Sequence, residues 1–191
     1  MVLEELIYMA QYHQTLIQQV LSLGASHAAL LPVSQLPFDP SFRDLCRSNA
    51  CGMYGACWMC PPYIGSSEEL IEQAKAFEWA LVYQTISPLE DSFDIEGMLA
   101  AGQQQNQLAR NIRFLLLENG CSSFLQLGAG GCRKCSICAK KTDSPCRFPD
   151  EAMSSLEAYC IDVSRLAERC RMHYINGVNT VTYFGTALLQ G

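Results

Sequence analysis

Four cysteines in the last third of the chain have a spacing suited to holding metal. Cys132, Cys135 and Cys138 recur at intervals of three residues, and Cys146 follows after a gap of seven. A tight loop with this spacing can place three thiolates at corners of a cubane, while a more distant thiolate takes the remaining corner. The pattern therefore predicts that these side chains ligate an iron–sulfur cluster, of the [4Fe-4S] type.

Zinc is the alternative for the same thiolates, because four sulfur ligands suit its tetrahedral coordination. Structural zinc sites usually pair two C-x2-C motifs that are separated by roughly a dozen or more residues. A tandem triple leaves its middle residue, Cys135, awkwardly placed for one tetrahedral ion. The spacing favours iron–sulfur and leaves zinc open.

A first cysteine group lies earlier, in a segment rich in proline and glycine. Only its last two members have the C-x2-C spacing of a metal knuckle, so this group predicts metal less specifically. It can form a site of its own, or it can exchange a ligand with the other group, as two-cluster ferredoxins do. Tyr54 and Trp58 lie between these cysteines and fit core packing better than shielding of a cluster. The predicted ligands of this group are Cys46, Cys51, Cys57 and Cys60.

Glycines precede the later group, in the sequence Gly128-Ala129-Gly130-Gly131. A dinucleotide-binding fingerprint would need a further glycine where Arg133 stands, so that interpretation is weak. We expect instead that these glycines let backbone amides approach the cluster sulfurs, which tunes the reduction potential.

The later cysteine loop is also basic, with five of the 13 Lys and Arg residues of the chain. This patch can dock an acidic redox partner, and the candidate contacts are Lys134, Lys140 and Lys141. An ordinary solvated loop is the alternative interpretation. The five residues are Arg133, Lys134, Lys140, Lys141 and Arg147.

The other potential ligands have simpler interpretations. The remaining cysteines are expected to be small buried hydrophobic residues: Cys121, Cys160 and Cys170. The histidines have no partner at ligand spacing and are expected to be structural: His13, His27 and His173.

Periodicity and capping signals predict the elements that position the two loops. A helical period over the first 23 residues ends at a C-capping glycine, Gly24, and a capping box at Ser66 begins a helix that runs to about Phe77. Another helix precedes Gly120, and Asp162 caps a later one. Glu151–Tyr159 is also predicted to be helical. Strands are predicted over 28–33, 79–86, 123–127 and 180–188.

These elements predict an α/β (or α+β) fold, with a small mixed sheet flanked by helices. The length of 191 residues fits a single domain, 1–191, with cysteine-rich loops at about 41–64 and 128–149. A chain of this size can bury a sizeable core without the help of a metal.

Composition excludes several classes of protein. The formal net charge of −6 would repel a phosphate backbone, so nucleic acid is not an expected partner. No run of roughly 20 apolar residues could cross a bilayer, and the acidic start lacks the positive charge of a secretory signal. Eleven cysteines, an odd number below the density of a disulfide scaffold, point to metal or redox chemistry in a reducing compartment. We therefore expect a cytoplasmic protein.

Several strings in the chain resemble a prokaryotic family of predicted metal-binding proteins, which contain domain of unknown function 2284. They are Asn49 to Gly55, Cys60-Pro61-Pro62, Gly131 to Cys138, Pro145 to Pro149, Ser154 to Tyr159 and Val181 to Gly185. The resemblance covers nearly the whole chain. It implies metal binding through both cysteine groups and a strictly or facultatively anaerobic prokaryotic host, and it implies no particular reaction.

Three functions remain open from the sequence. The first is electron transfer or a redox accessory role, because eight clustered thiols occur without any nucleophile–base pair of recognisable spacing. The second is a cluster-dependent reductase acting on a small molecule or a corrinoid, which needs a pocket beside the cluster. The third is a zinc-binding structural or interaction module.

Overall fold

The computed structural model describes residues 2–190, with side chains from Met9 onward, and contains a five-stranded mixed sheet. The strand order is β1-β2-β5-β3-β4, and every pairing is antiparallel except that of β3 with β4. The strands are β1 His27–Pro32, β2 Trp79–Pro88, β3 Phe124–Gly128, β4 Ser154–Ser155 and β5 Thr180–Leu189. The predicted mixed sheet is confirmed.

The α-helices are α1 Val2–Ser22, α2 Phe42–Arg47, α3 Ser67–Lys75, α4 Ile95–Glu118 and α5 Val163–Arg169. Short 3-10 helices lie at Val33–Gln35, Ala139–Thr142 and Glu157–Tyr159. The predicted capping box is present, since the Ser66 hydroxyl accepts from the Glu69 amide and the Glu69 carboxylate accepts from the Ser66 amide. Gly24 follows α1 with a φ of 110°, as a C-capping glycine should.

The helices cover the sheet on both faces. On β2, Leu81 and Tyr83 point to α1 and α4, while Ala80 and Val82 point to α3 and α5. Successive side chains of a strand point to opposite faces of the sheet, and helices cover both faces here. All four side chains are therefore fully buried. No helix among the described residues combines the length and apolar character needed to cross a membrane.

Two local predictions were wrong. Glu151–Tyr159 is not a helix, because Ser154 and Ser155 pair with β3 and only a single 3-10 turn follows. That turn ends at Cys160, whose φ of 60° stops a right-handed helix. Helix α2 also lies within the first cysteine segment, where no periodicity was recognised.

Candidate metal centre

Hydrogen bonds join the first cysteine loop to the later loop and to β4. The Trp58 indole Nε1 donates to the Ser144 carbonyl at 2.8 Å, and the Ser154 hydroxyl donates to the Met59 carbonyl at 2.9 Å. The Lys140 ammonium lies over the Trp58 ring at 4.9 Å from its centroid. Segments far apart in sequence are therefore held against each other where the cysteines occur.

Five thiols line one small cavity between the loops. Four belong to the later group and one, Cys57, to the first, although Cys57 and Cys132 are 75 positions apart in sequence. The Cys57 side chain is only 1% exposed. Non-cysteine lining includes Trp58 and Phe148. The cavity cysteines are Cys57, Cys132, Cys135, Cys138 and Cys146.

Hydrogen bonds between thiols tie this arrangement together. Cys57 is hydrogen-bonded to the side chains of Cys132 and Cys60, and its side chain also bonds that of Cys138. The Cys60 sulfur accepts the backbone amide of Cys132. Cys57 and Cys60 therefore lie at the junction of the two cysteine groups.

Backbone amides point at the cavity sulfurs in a repeated way. The sulfurs of Cys57, Cys132 and Cys138 each accept from the amide of the residue two positions later. The donors are the amides of Met59, Lys134 and Lys140. Hydrogen bonds of this kind stabilise thiolate ligands and tune the metal they hold.

The glycines before Cys132 let neighbouring segments come close to this part of the chain. A Cβ on Gly131 would lie 2.7 Å from the Met53 side chain, so this glycine makes room for a residue of the first loop. The Gly128 carbonyl accepts from the Leu156 amide. The glycines therefore help the loops to approach each other, whereas the amides that reach sulfur belong to other residues.

The thiols differ in acidity. The pKa of Cys132 is raised by its hydrogen bond to Cys57 and by burial. Burial opposes ionisation of Cys138, yet the amides of Lys140 and Trp58 hold the pKa of this thiol below its usual value. The hydrogen bond from Cys57 likewise lowers the pKa of Cys60.

The rest of the first group lies outside the cavity. Cys46, on α2, and the exposed Cys51 are close enough to each other and to Cys60 for their charges to interact. Burial raises the pKa of Cys46, and the nearby Arg43 guanidinium opposes that shift. The buried Cys160 also interacts with Cys46. Three predicted ligands of this group thus approach one another, while Cys57 turns to the other group.

The donor set suits a soft metal. Thiolates select zinc, Cu(I) and iron–sulfur clusters rather than magnesium or calcium. Within residues 2–190, no group of three or more His, Cys, Asp or Glu side chains is arranged to hold a single metal ion. The five cavity thiols could hold a metal group between them. The backbone amides of Met59, Lys134 and Lys140 would then donate hydrogen bonds to its sulfur ligands.

The sequence model of one family matches residues 29–189 of the chain, and its description is "Predicted metal-binding protein (DUF2284)". The chain belongs to this family. The resemblance noted in the sequence is therefore confirmed, and the match spans both cysteine groups and all but part of β1 in the sheet. Searches of curated proteins and of solved structures found no match.

Other residues singled out in the sequence are now placed. Cys160 is fully buried, and Cys170 packs against the core beside α3 and α5. The Cys121 thiol lies 3.4 Å from the Tyr12 hydroxyl in the opposite core. His13 packs edge-on against Trp79, with ring centroids 4.4 Å apart. Cys160 is thus buried as expected, whereas Cys121 and Cys170 are only partly buried and pack against the edges of the two cores.

The aromatics of the first loop contact the later loop. Trp58 lines the thiol cavity, and Tyr63, not singled out in the sequence, lies with its ring centroid 4.1 Å from the Lys140 ammonium. Trp58 and Tyr63 also meet edge to face at 5.4 Å. Trp58 is half-buried beside the thiols and belongs to neither of the two hydrophobic cores, so the core-packing prediction for it was wrong.

Proposed function

We propose that this protein binds an iron–sulfur cluster, of the [4Fe-4S] type, in the thiol cavity. Cys132, Cys135, Cys138 and Cys146 are the proposed ligands, with Cys57 as a fifth thiol in contact with them. The observation that carries the proposal is the convergence of five thiols on one cavity. Spacing favours a cubane over one tetrahedral zinc, and the donors are the thiolates that such clusters use.

The amide pattern adds a second argument. Three cavity sulfurs accept amides from two residues further along the chain. Donors fixed in this way would stabilise the negative charge that a cluster and its thiolates carry, and would raise its reduction potential. Trp58 and Phe148 at the cavity would limit water access, which acts on the same property.

The proposed role is electron transfer or service as a redox accessory in the cytoplasm. Docking of an acidic redox partner would use the basic surface of the later loop. Lys134 is paired with Glu151 and Lys140 with Asp143, so partner carboxylates would have to compete for both. The exposed Lys141 is the most available of the three proposed contacts.

The first group could hold a second metal group, for which Cys46, Cys51 and Cys60 are the proposed ligands. Their mutual electrostatic interaction supports this proposal. The three sulfurs leave one coordination position to be filled by another donor. Independent metal loss from variants in each group would distinguish two sites from one.

A cluster-dependent reductase is the second candidate, because a groove runs beside the cavity. The groove walls include Arg110 and Arg133. A cavity of only about 20 Å³, which shares both arginines with the groove, is lined by Cys132. A small molecule bound in the groove would lie near a proposed cluster ligand, and this position supports the reductase hypothesis.

The proposal is tested by anaerobic purification followed by iron, sulfide and zinc analysis. We expect brown protein with absorbance at about 400 nm and roughly equal iron and inorganic sulfide, as a cubane requires. Cys170→Ala is the matched control, because its thiol packs against the core away from the cavity and its loss should not change the metal content. Colourless protein with stoichiometric zinc would overturn the iron–sulfur proposal in favour of a zinc-binding module.

A further inference from the structure

A groove of about 410 Å³ lies between helix α4 and the glycine-rich loop that follows β3. Its volume is in the range of small-molecule sites. A smaller cavity shares Arg110 and Arg133 with it and extends to Cys132. The principal lining residues are Leu99, Gln105, Asn106, Arg110, Arg133 and Tyr183.

The charge of this groove is positive although the chain as a whole is acidic. Arg110 is half-buried on α4, and Arg133 is exposed on the facing loop. The carboxylate near them, that of Glu151, is paired with Lys134. The Arg110 guanidinium donates to the neutral Gln107 amide oxygen at 2.6 Å rather than to a carboxylate. Glu151 also interacts with Arg110 through space, but its ion pair is with Lys134, so two guanidinium groups face one groove without an ion-paired carboxylate of their own.

A buried amide nitrogen supplies an independent sign of a missing partner. Gln105 lines the groove and is only 2% exposed. Its Oε1 accepts from the Thr85 hydroxyl at 2.9 Å, but within residues 2–190 its Nε2 has no hydrogen-bond partner. Buried polar groups are nearly always paired, and exceptions occur at functional sites. A ligand acceptor in the groove would satisfy this donor.

The remaining wall is flat and apolar. The Tyr183 hydroxyl donates to the Met98 carbonyl at 3.0 Å, which fixes the ring beside Gly102. A Cβ at Gly102 would be 3.7 Å from the Tyr183 hydroxyl, so the ring lies close against α4. The Leu99 side chain is 54% exposed at the same place. These surfaces suit a flat, partly apolar body.

We propose that this groove binds a small organic anion. Arg110 and Arg133 would hold its carboxylate or phosphate, the Gln105 amide would donate to a second polar atom, and Tyr183 would pack against the body of the molecule. Two guanidinium groups favour such anions because their planar donors match carboxylate and phosphate oxygens. Binding at this site does not depend on which metal the thiol cavity holds, so it can be tested separately from the proposed cluster.

The test uses the complete chain as purified, with its metal, and ¹⁹F NMR of 4-fluorobenzoate. We expect its signal to broaden on addition of protein, and we expect the neutral isostere 4-fluorobenzamide to bind about tenfold more weakly, as loss of a charge-assisted contact implies. Competition by acetate against inorganic phosphate would distinguish carboxylate from phosphate as the preferred anion. No broadening at millimolar concentrations, or equal binding of benzoate and benzamide, would overturn the proposal.

Variants separate this site from general charge attraction. Replacement of both arginines, Arg110→Gln with Arg133→Gln, should weaken benzoate binding about tenfold. Lys141→Gln is the matched control, because this exposed cation of the same loop lies outside the groove walls. Gln105→Met should also weaken binding while unchanged circular dichroism verifies folding. Equal weakening by Lys141→Gln would show that benzoate responds only to the basic loop.

Discussion

Arg43 should contribute more to the stability of the first cysteine loop than any neighbouring charge. Its guanidinium donates to the Ala158 carbonyl at 2.9 Å and to the Gly65 carbonyl, so it joins α2 to two other segments. A hydrogen bond from a charged donor contributes about 1.5 to 3 kcal/mol, and partial exposure of the arginine favours the lower end. Arg43→Gln should therefore lower the free energy of unfolding by about 3 kcal/mol. Lysine can reach only one carbonyl, so Arg43→Lys should lose about half as much.

The assay is urea unfolding of reduced, metal-free protein, followed by circular dichroism. With a urea dependence of roughly 2 to 3 kcal/mol per molar for a chain of this size, the Arg43→Gln midpoint should fall by about 1 to 1.5 M. Arg47→Gln is the control, because its ion pair with Asp44 is exposed, with 68% and 69% of the two side chains accessible. Its loss should cost under about 0.5 kcal/mol. Equal midpoints for Arg43→Gln and Arg47→Gln would refute this account.

Three further predictions concern the thiols and the sheet. Cys135→Ser should remove about one cluster's iron while the circular dichroism spectrum remains native. Cys60→Ser should cause a separate loss of iron that adds to the first, and identical, non-additive losses would indicate one shared site. Burial raises the pKa of Cys170 to about 11, so its alkylation in native protein should be slow at neutral pH, and the rate should still rise above pH 9. A rate that levels off near pH 9 would contradict the burial of this thiol. Cys170→Ala should leave metal content unchanged and cost about 1 kcal/mol. Gly185→Ala would place a Cβ 2.5 Å from the Tyr83 ring. It should lower the free energy of unfolding in urea by about 1 to 3 kcal/mol, and an unchanged urea midpoint would show that the ring can move.

Local signals in the sequence predicted most of the fold because each reports on a few adjacent residues. The capping box at Ser66 begins α3, Gly24 ends α1 and Asp162 caps α5. Strand β5 was predicted within one residue from its β-branched and aromatic content. By contrast, the Glu151–Tyr159 error arose because pairing with β3 overrode local helical preference.

The sequence identified the candidate thiols but left open how they divide between sites. Spacing grouped Cys57 with Cys46, Cys51 and Cys60 by nearness in sequence, and the exchange of a ligand between the two groups was the alternative. The fold instead places Cys57 in the cavity with Cys132. The groove beside Arg110 also depends on residues from α4, the glycine loop and β5. Such contacts are set by tertiary packing, which linear spacing does not report.

The sheet order has a consequence for biosynthesis. Strands β2 and β3 are not neighbours, because β5, which comes last in sequence among the described strands, lies between them. Cys57 precedes β2, while the other cavity cysteines follow β3. During translation, the two sets of thiols therefore have no common sheet to hold them until residues 180–189 leave the ribosome. Metal insertion into this cavity should therefore wait until β5 has been made, and the nascent chain would expose thiols to oxidation in the meantime.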